Sequence, residues 1–235
     1  MSGALPGSPG ALAASMAVYA VTSDGWLARV GDRLEAELAA MIDAGVTAVQ
    51  FRCRVLPEHD RARLAERVIA CARERGALAV VNDDVDLALA TGAHAVHLGP
   101  GDLPIDVARA RVGDRLLIGA SAGSAQAARA AVRAGADYLG VGAIHEARPS
   151  KPDASPPRGL RVLEEIRAQE ETRLVPVVAI GGIDVGSAGA CVLAGADGVA
   201  VIRALFDAPE PADAARALRR VVVDAQDRRP GARRG

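Results

Sequence analysis

The sequence predicts an α/β protein, a single closed (β/α)8 TIM barrel. Three observations lead there: eight short apolar runs, amphipathic stretches between them, and a segment that recurs four times. The recurring segment is Ala44-Gly45-Val46-Thr47-Ala48-Val49, with counterparts at 91–96, 134–139 and 194–199. Its glycines, Gly45, Gly92, Gly135 and Gly195, lie 47, 43 and 60 residues apart. Each follows an Ala/Arg/Glu-rich stretch and precedes an apolar run. That pattern reads as a helix stopped by a glycine with φ > 0, then a buried strand. Spacings in the forties suit two β/α units rather than one.

Taken in order, the intervening strands fall at 17–22, 77–81, 116–120 and 175–180, and the glycine-led runs supply four more. Helical patterns separate them, as at 33–44, 60–75, 124–134 and 161–169. Buried strands alternating with helices pair in parallel, and eight of them close. An open doubly wound sheet is the alternative, but no Walker A spacing is present and no GxGxxG turn follows the first strand. Residues 16–225 form the domain. Residues 1–15 and the Arg-, Pro- and Gly-rich residues 226–235 read as disordered tails, with Met16 a second candidate start.

Half of the 235 residues are hydrophobic, 24% are charged and only 2% are aromatic, so Ala, Val, Leu and Ile must build the core. No 18-residue apolar window occurs, which argues against a transmembrane helix, and the net charge of −1 argues against a nucleic-acid binder that relies on overall basicity. Cys53, Cys71 and Cys191 are too scattered for a disulfide framework or a CxxC metal site, and a reducing cytoplasm is the default.

Barrel chemistry sits where strands end. The first strand end offers Thr22 and Ser23; the second Gln50, Arg52 and Arg54; the third Asn82, Asp83 and Asp84. The fourth offers His97 and then Asp102, the fifth Ser121, and the sixth Gly142 with a long loop to Gly159. The last two offer Gly181-Gly182 and Ile202-Arg203. Such a ring suits a polar, anionic ligand. Gln50, Arg52 and Arg54 alternate, so a strand points them one way, and two guanidiniums suit a phosphate or pyrophosphate; a solvated strand end is the plainer reading. Asp83 and Asp102 can hold Mg2+ between them, with helix capping and a turn before Pro104 as competing roles. Asp84 is the better cap and Asp83 the better ligand. Gly181-Gly182 suits a phosphate, a tight turn, or both. Of 28 basic residues Lys151 is the single lysine, a compact charge in the loop after the sixth strand. His97 reads as a packed core histidine ahead of a catalytic one, His145 as a loop residue able to reach ligand, and His59 and His94 as surface or structural. Trp26 either covers the site or packs.

The residues so placed resemble the thiamine-phosphate synthase family. Gln50-Phe51-Arg52-Cys53-Arg54 is similar to its Gln-x-Arg-Glu-Lys, and residues 82–88 to its Asn-Asp-(Asp/Arg)-x-(Asp/Glu)-(Leu/Ile)-Ala. Residues 96–103 resemble Val-His-Leu-Gly-Gln-x-Asp-Leu, residues 119–121 Gly-x-Ser, residues 135–142 Gly-Ala-Asp-Tyr-x-x-x-Gly, and residues 179–183 Ala-Ile-Gly-Gly-Ile. The likeness spans about residues 17–225, and the order of the motifs is more specific than any one of them. It implies a (β/α)8 barrel that couples hydroxymethylpyrimidine diphosphate to a thiazole phosphate and releases pyrophosphate. Gln50, Arg52, Arg54, Asn82, Ser121 and Lys151 would contact the pyrimidine diphosphate, with Lys151, Arg52 and Ser121 as catalytic groups. Asp83 and Asp102 would hold Mg2+. Arg148, Pro149, Ser150, Gly181, Ile202 and Arg203 would hold the thiazole phosphate. Small-molecule substrates are the implied partners, with neither nucleic acid nor membrane, and a homo-oligomer stays open. Cys53, Arg54, Pro100, Gly101, Gly123-Ser124 and the 145–151 loop depart from the family pattern. A thiazole tautomerase-like paralogue and a non-catalytic barrel that binds thiamine precursors are the alternatives.

Overall fold

The computed structural model describes residues 5–146 and 157–229. Eight strands follow one another in chain order: β1 (Val18–Val21), β2 (Ala48–Phe51), β3 (Leu78–Asn82), β4 (Ala95–Leu98), β5 (Leu117–Ala122), β6 (Tyr138–Gly142), β7 (Val177–Ile180) and β8 (Gly198–Val201). Every neighbouring pair is parallel, and β8 pairs with β1 to close the barrel. The helices are α1 (Pro9–Ala14), α2 (Asp24–Val30), α3 (Leu34–Asp43), α4 (Glu58–Glu74), α5 (Val85–Thr91), α6 (Ile105–Val112), α7 (Ala125–Arg133), α8 (Arg161–Arg167), α9 (Val185–Leu193), α10 (Arg203–Phe206) and α11 (Pro211–Arg228). The open doubly wound alternative is thereby excluded.

Alternation along each strand sorts the side chains into two apolar layers. One, including Val49, Val81, Val96, Ile118, Leu139, Ala179 and Val199, faces the helices. The other, including Tyr19, Leu78, Val80, Ala95, Tyr138, Val178 and Ala200, fills the barrel. Leu12 of α1 and Met16 belong to the inner layer. This corrects the expected N-terminal tail for its described part. Ser8 caps α1 by accepting from the Ala11 N–H at 3.2 Å, Pro9 opens the helix, and Leu12 is buried. Ser-Pro is a helix start signal as well as loop composition. The C-terminal expectation needs the same correction up to residue 229. There α11 continues to Arg228, Gln226 donates to the Asp197 carbonyl at 2.7 Å, and Arg229 donates to that of Ala196 at 3.2 Å.

The recurring segment has a structural reason. All four of its glycines adopt positive φ, between 65° and 128°, where a Cβ is disfavoured. Two residues beyond each glycine stands a side chain that accepts the backbone N–H at the start of the preceding strand. Thr47 accepts from Val18 at 3.1 Å, His94 from Ala79 at 3.0 Å, Asp137 from Ile118 at 2.7 Å and Asp197 from Val177 at 2.9 Å. Even-numbered strands thus clasp the odd-numbered strands before them, and His94 is structural. In the last two clasps an arginine completes the unit: Arg109 binds Asp137 and the Gly135 carbonyl, and Arg167 binds Asp197 and the Gly195 carbonyl.

Asp197 is the most committed of these clasps, because it also pairs with Arg229 and its partner Arg167 is largely buried. Asp197→Ala should lower the unfolding free energy by about 3 kcal/mol, since it strands a desolvated guanidinium and a strand N–H. Thr47→Val should cost about 1 kcal/mol. Parallel urea titrations would check the order; equal losses would count against it.

Candidate active site

Residues from all eight strand ends line one cavity of about 850 Å³ at the C-terminal mouth of the barrel. Gln50, Arg52, Arg54, Asn82, Asp83, Asp102, Ser121, Gly181, Ile202 and Arg203 all line it. The structure therefore brings together every expected site residue that it describes. Arg148, Pro149, Ser150 and Lys151 lie outside the described residues.

The second strand end is held by the first. Thr22 is buried, and its hydroxyl accepts from the Arg52 N–H at 2.8 Å and donates to the Arg52 carbonyl at 2.9 Å. Asp24, at the start of α2, accepts from the Arg54 N–H at 2.8 Å and stands 4.0 Å from the Arg52 guanidinium. The Arg52 side chain is buried and that of Arg54 is half exposed, 4.0 Å from Asp83. A buried guanidinium held by a fixed backbone is prepared for an anion.

Asp84 is the cap that the sequence suggests, and Asp83 lines the cavity. Asp84 caps α5 by accepting from Leu87 N–H at 2.9 Å and pairs with Arg61 at 3.2 Å. Asp83 sits at φ 65°, the one non-glycine residue with positive φ among those described. Its N–H donates to the His97 carbonyl at 2.9 Å, so the peptide is fixed while the backbone holds an uncommon conformation. Across from it, Asp102 closes a turn, accepting from Gly99 N–H at 2.6 Å, yet its carboxyl also meets that of Asp83. The turn role of Asp102 is therefore present, and its carboxyl is also placed beside Asp83. Burial, and then the facing Asp102 carboxyl, raise the Asp83 pKa from 3.8 to about 6 against the pull of Arg54 and Arg52.

On the far side, Gly181 and Gly182 adopt φ of 105° and 63°. A Cβ at Gly181 would stand 2.7 Å from the Ala143 Cα, and one at Gly182 would stand 2.8 Å from the Glu146 carbonyl oxygen. The β6–β7 ladder continues past the strands, with Ile144 N–H donating to Ile180 at 2.9 Å and His145 N–H to Gly181 at 3.0 Å. The glycines thus seat the stem of the loop after β6 and also face the cavity.

Several lining residues were not singled out from sequence, or were read differently. His97 is not a core histidine; it lines the cavity, with Nε2 3.0 Å from the Ser121 Oγ. Its place between two apolar neighbours concealed it, though strand alternation turns it inward. Tyr19 and Tyr138 line the floor, and Arg158 and Glu146 the wall. Trp26 packs, with its ring 4.7 Å from that of Phe206 and its Nε1 donating to Glu37 at 2.9 Å. His145 is not among the lining residues and Cys53 is buried in the core.

Comparison with known proteins agrees with this geometry. The profile described as thiamine monophosphate synthase matches residues 18–205. The chain belongs to the thiamine monophosphate synthase family. It is 45% identical over 182 residues to the thiamine-phosphate synthase of Moorella thermoacetica, covering 77% of this chain and 85% of that one. It is 49% identical over 181 residues to the thiamine biosynthesis bifunctional protein ThiM/ThiE of Symbiobacterium thermophilum, and there the match covers 77% of this chain but 37% of the relative. Among solved structures, the thiamine phosphate pyrophosphorylase from Pyrococcus furiosus superposes with a TM-score of 0.79 at 34% identity, covering 91% of this chain and 98% of that one.

Two outcomes follow from this geometry. Thr22→Val removes both bonds that fix the Arg52 backbone and should cost about 2 kcal/mol of stability, measurable by denaturant titration. The second concerns pH. The folded state binds the Asp83 proton more tightly than the unfolded state does, so the ionisation penalty is absent below pH 3.8 and complete above about 6. Asp83→Asn escapes it. In chelator, the variant's stability relative to the parent should rise across that interval by about 1 kcal/mol, a figure reduced because Asp83 is partly exposed and screened. A gap that stays constant with pH would refute the assignment.

Proposed function

We propose that this chain is a thiamine-phosphate synthase, a transferase that joins hydroxymethylpyrimidine diphosphate to a thiazole phosphate and releases pyrophosphate. The observation that carries the reading is the convergence of two arginines and two facing carboxylates at one barrel mouth. That is the charge pattern of a site for a metal-bridged diphosphate.

The donor set fits Mg2+. Asp83 and Asp102 offer hard oxygens, and no cluster of three or more His, Cys, Asp or Glu side chains is present among the described residues. Mg2+ characteristically takes one or two carboxylates and completes its shell with water and phosphate oxygens. The raised Asp83 pKa marks two carboxylates held close without full compensation, which a cation relieves. When bound there, Mg2+ neutralises charge on the diphosphate. Arg52 and Arg54 supply further positive charge where the pyrophosphate leaves. Breaking the C–O bond leaves a cation delocalised into the electron-rich pyrimidine, and the thiazole nitrogen lone pair forms the new N–C bond. That nitrogen carries no proton, so no general base is required. Gln50, Asn82 and Ser121 orient the pyrimidine. Gly181, Ile202 and Arg203, with Arg148, Pro149 and Ser150, hold the thiazole phosphate, and Lys151 reaches the diphosphate. Small molecules are the partners, and the setting is the cytoplasm. No helix among the described residues is long and apolar enough to cross a membrane.

Purified protein supplied with both substrates and Mg2+ should release pyrophosphate, and a chelator should stop it. Asp83→Ala should lower the rate at least about a hundredfold while leaving the protein folded, because it removes charge stabilisation and not packing. Thiazole binding without Mg2+-dependent coupling would favour the tautomerase-like alternative. Thiamine phosphate binding without turnover would favour the non-catalytic one. An unaffected Asp83→Ala enzyme would remove Asp83 from the site.

A further inference from the structure

Six side chains form one unbroken hydrogen-bonded chain across the inside of the barrel. Ser121 Oγ lies 3.0 Å from His97 Nε2, and His97 Nδ1 lies 3.3 Å from the Tyr138 hydroxyl. That hydroxyl is 3.0 Å from the Tyr19 hydroxyl, which donates to Gln50 Oε1 at 2.9 Å. Gln50 Nε2 then donates to Asn82 Oδ1 at 2.5 Å. Ser121 at one end and Gln50 and Asn82 at the other are assigned to the pyrimidine, while His97, Tyr138 and Tyr19 between them have no assigned role.

The rings are seated by glycines on nearby strands of the barrel, Gly119 on β5 and Gly140 on β6. His97 faces Gly119 in the β4–β5 register, and Gly119 faces Tyr138 in the β5–β6 register. A Cβ on Gly119 would stand 2.1 Å from the Tyr138 Cζ, and one on Gly140 would stand 2.8 Å from the His97 Cε1. Neither ring can lie where it does unless its neighbour lacks a side chain. Burial raises the pKa of both phenols, so each keeps its hydrogen to donate.

Donor counting then gives the chain a direction. A phenol has one hydrogen. Tyr19 spends its hydrogen on Gln50, so it accepts from Tyr138. Tyr138 spends its own on Tyr19, so it meets His97 as an acceptor, and Nδ1 must carry the imidazole proton. In the neutral ring Nε2 is then an acceptor and takes the Ser121 hydrogen. Ser121 is left with lone pairs alone to offer the cavity. At the other end Asn82 accepts through Oδ1, which leaves its NH2 as a donor.

We infer that Tyr138 and Tyr19 are positioning residues that hold His97 as the Nδ1–H tautomer, making Ser121 an obligate acceptor, so that the site selects a pyrimidine bearing an exocyclic amino group over the same ring bearing an oxo group. The inference rests on the pyrimidine diphosphate reading above. The polarity is all-or-none. Turning the Gln50 and Asn82 amides over reverses every bond, puts the proton on Nε2, and makes Ser121 a donor suited to the oxo ring. One tautomer therefore reports the whole chain.

Two measurements test it. The first is the imidazole 15N spectrum of the ligand-free protein in slightly alkaline buffer, with the His97 signals identified by their loss in His97→Gln. A protonated Nδ1 and a bare Nε2 are expected; a bare Nδ1, or protons on both nitrogens, overturns the inference. The second is calorimetric binding, with Mg2+ present, of hydroxymethylpyrimidine diphosphate and of its oxo analogue. The parent should prefer the amino ring. Tyr138→Phe keeps the ring in its seat and removes only the hydroxyl. It should mix the His97 tautomers and reduce that preference at least about tenfold, with thiazole phosphate affinity unmoved. An unchanged tautomer, or an unchanged preference, overturns the role of Tyr138. Binding needs no turnover, so a protein that discriminates the two rings yet couples neither would fail the functional reading alone.

Discussion

The clasp between each even-numbered strand and the strand before it is the interaction on which the rest of the molecule depends. A parallel barrel has no hairpin turn to set its register, so something else must fix where each strand begins. Here Thr47, His94, Asp137 and Asp197 do so by accepting a backbone N–H from the first or second residue of β1, β3, β5 and β7. The acceptor is a hydroxyl, an imidazole and twice a carboxylate, while its place is kept. These contacts lie at the N-terminal end of the barrel, and the cavity lies at the other. Each strand is only four to six residues long, so a slip at the base would carry through to the mouth. A one-residue slip reverses inward and outward faces, and would turn Gln50, His97 and Ser121 into the helical layer.

The mouth is built against local preference. Asp83 holds a left-handed backbone and faces a second carboxylate. Arg52 is a buried guanidinium, 4.0 Å from the Asp24 carboxylate. These costs are tolerable because the barrel wall supplies stability elsewhere, in an aliphatic layer that runs unbroken between strands and helices. Two guanidiniums and two facing carboxylates share this mouth, the charge pattern on which the proposed diphosphate and cation sites rest. Thr22 and Asp24 keep Arg52 and Arg54 in place throughout, so little reorganisation is left for the moment of reaction.

Much of this was legible along the chain. The glycine-led repeat announced the strand count, because a helix stop followed by a buried strand leaves the same residue pattern wherever it occurs. The choice of Asp84 over Asp83 as cap followed from spacing, since a cap must stand just ahead of the first helical residue. Other features were hidden. His97 sits among apolar neighbours, and only the closed barrel shows that its side of the strand faces a cavity. Tyr19 and Tyr138 are 119 residues apart, and nothing local says that their hydroxyls meet. Arg158 reaches the wall from the end of a long loop, where composition carries no direction. The segment before β1 read as tail because Gly, Pro and Ser dominate it, yet Leu12 and Met16 are apolar enough to help fill the barrel.

The sequence by itself determined the order of elements, the parallel closure and the polar strand ends that gather at the mouth, because hydrophobic period, glycine stops and strand-end polarity are local properties that survive without coordinates. Tertiary structure alone decided how those members face one another. The meeting of Asp83 with Asp102, the clamp of Thr22 on Arg52 and the directed chain from Ser121 to Asn82 all depend on strand register and on which side chains a glycine leaves room for. Those are relations between distant segments, and the energy that fixes them exists only once the barrel has closed.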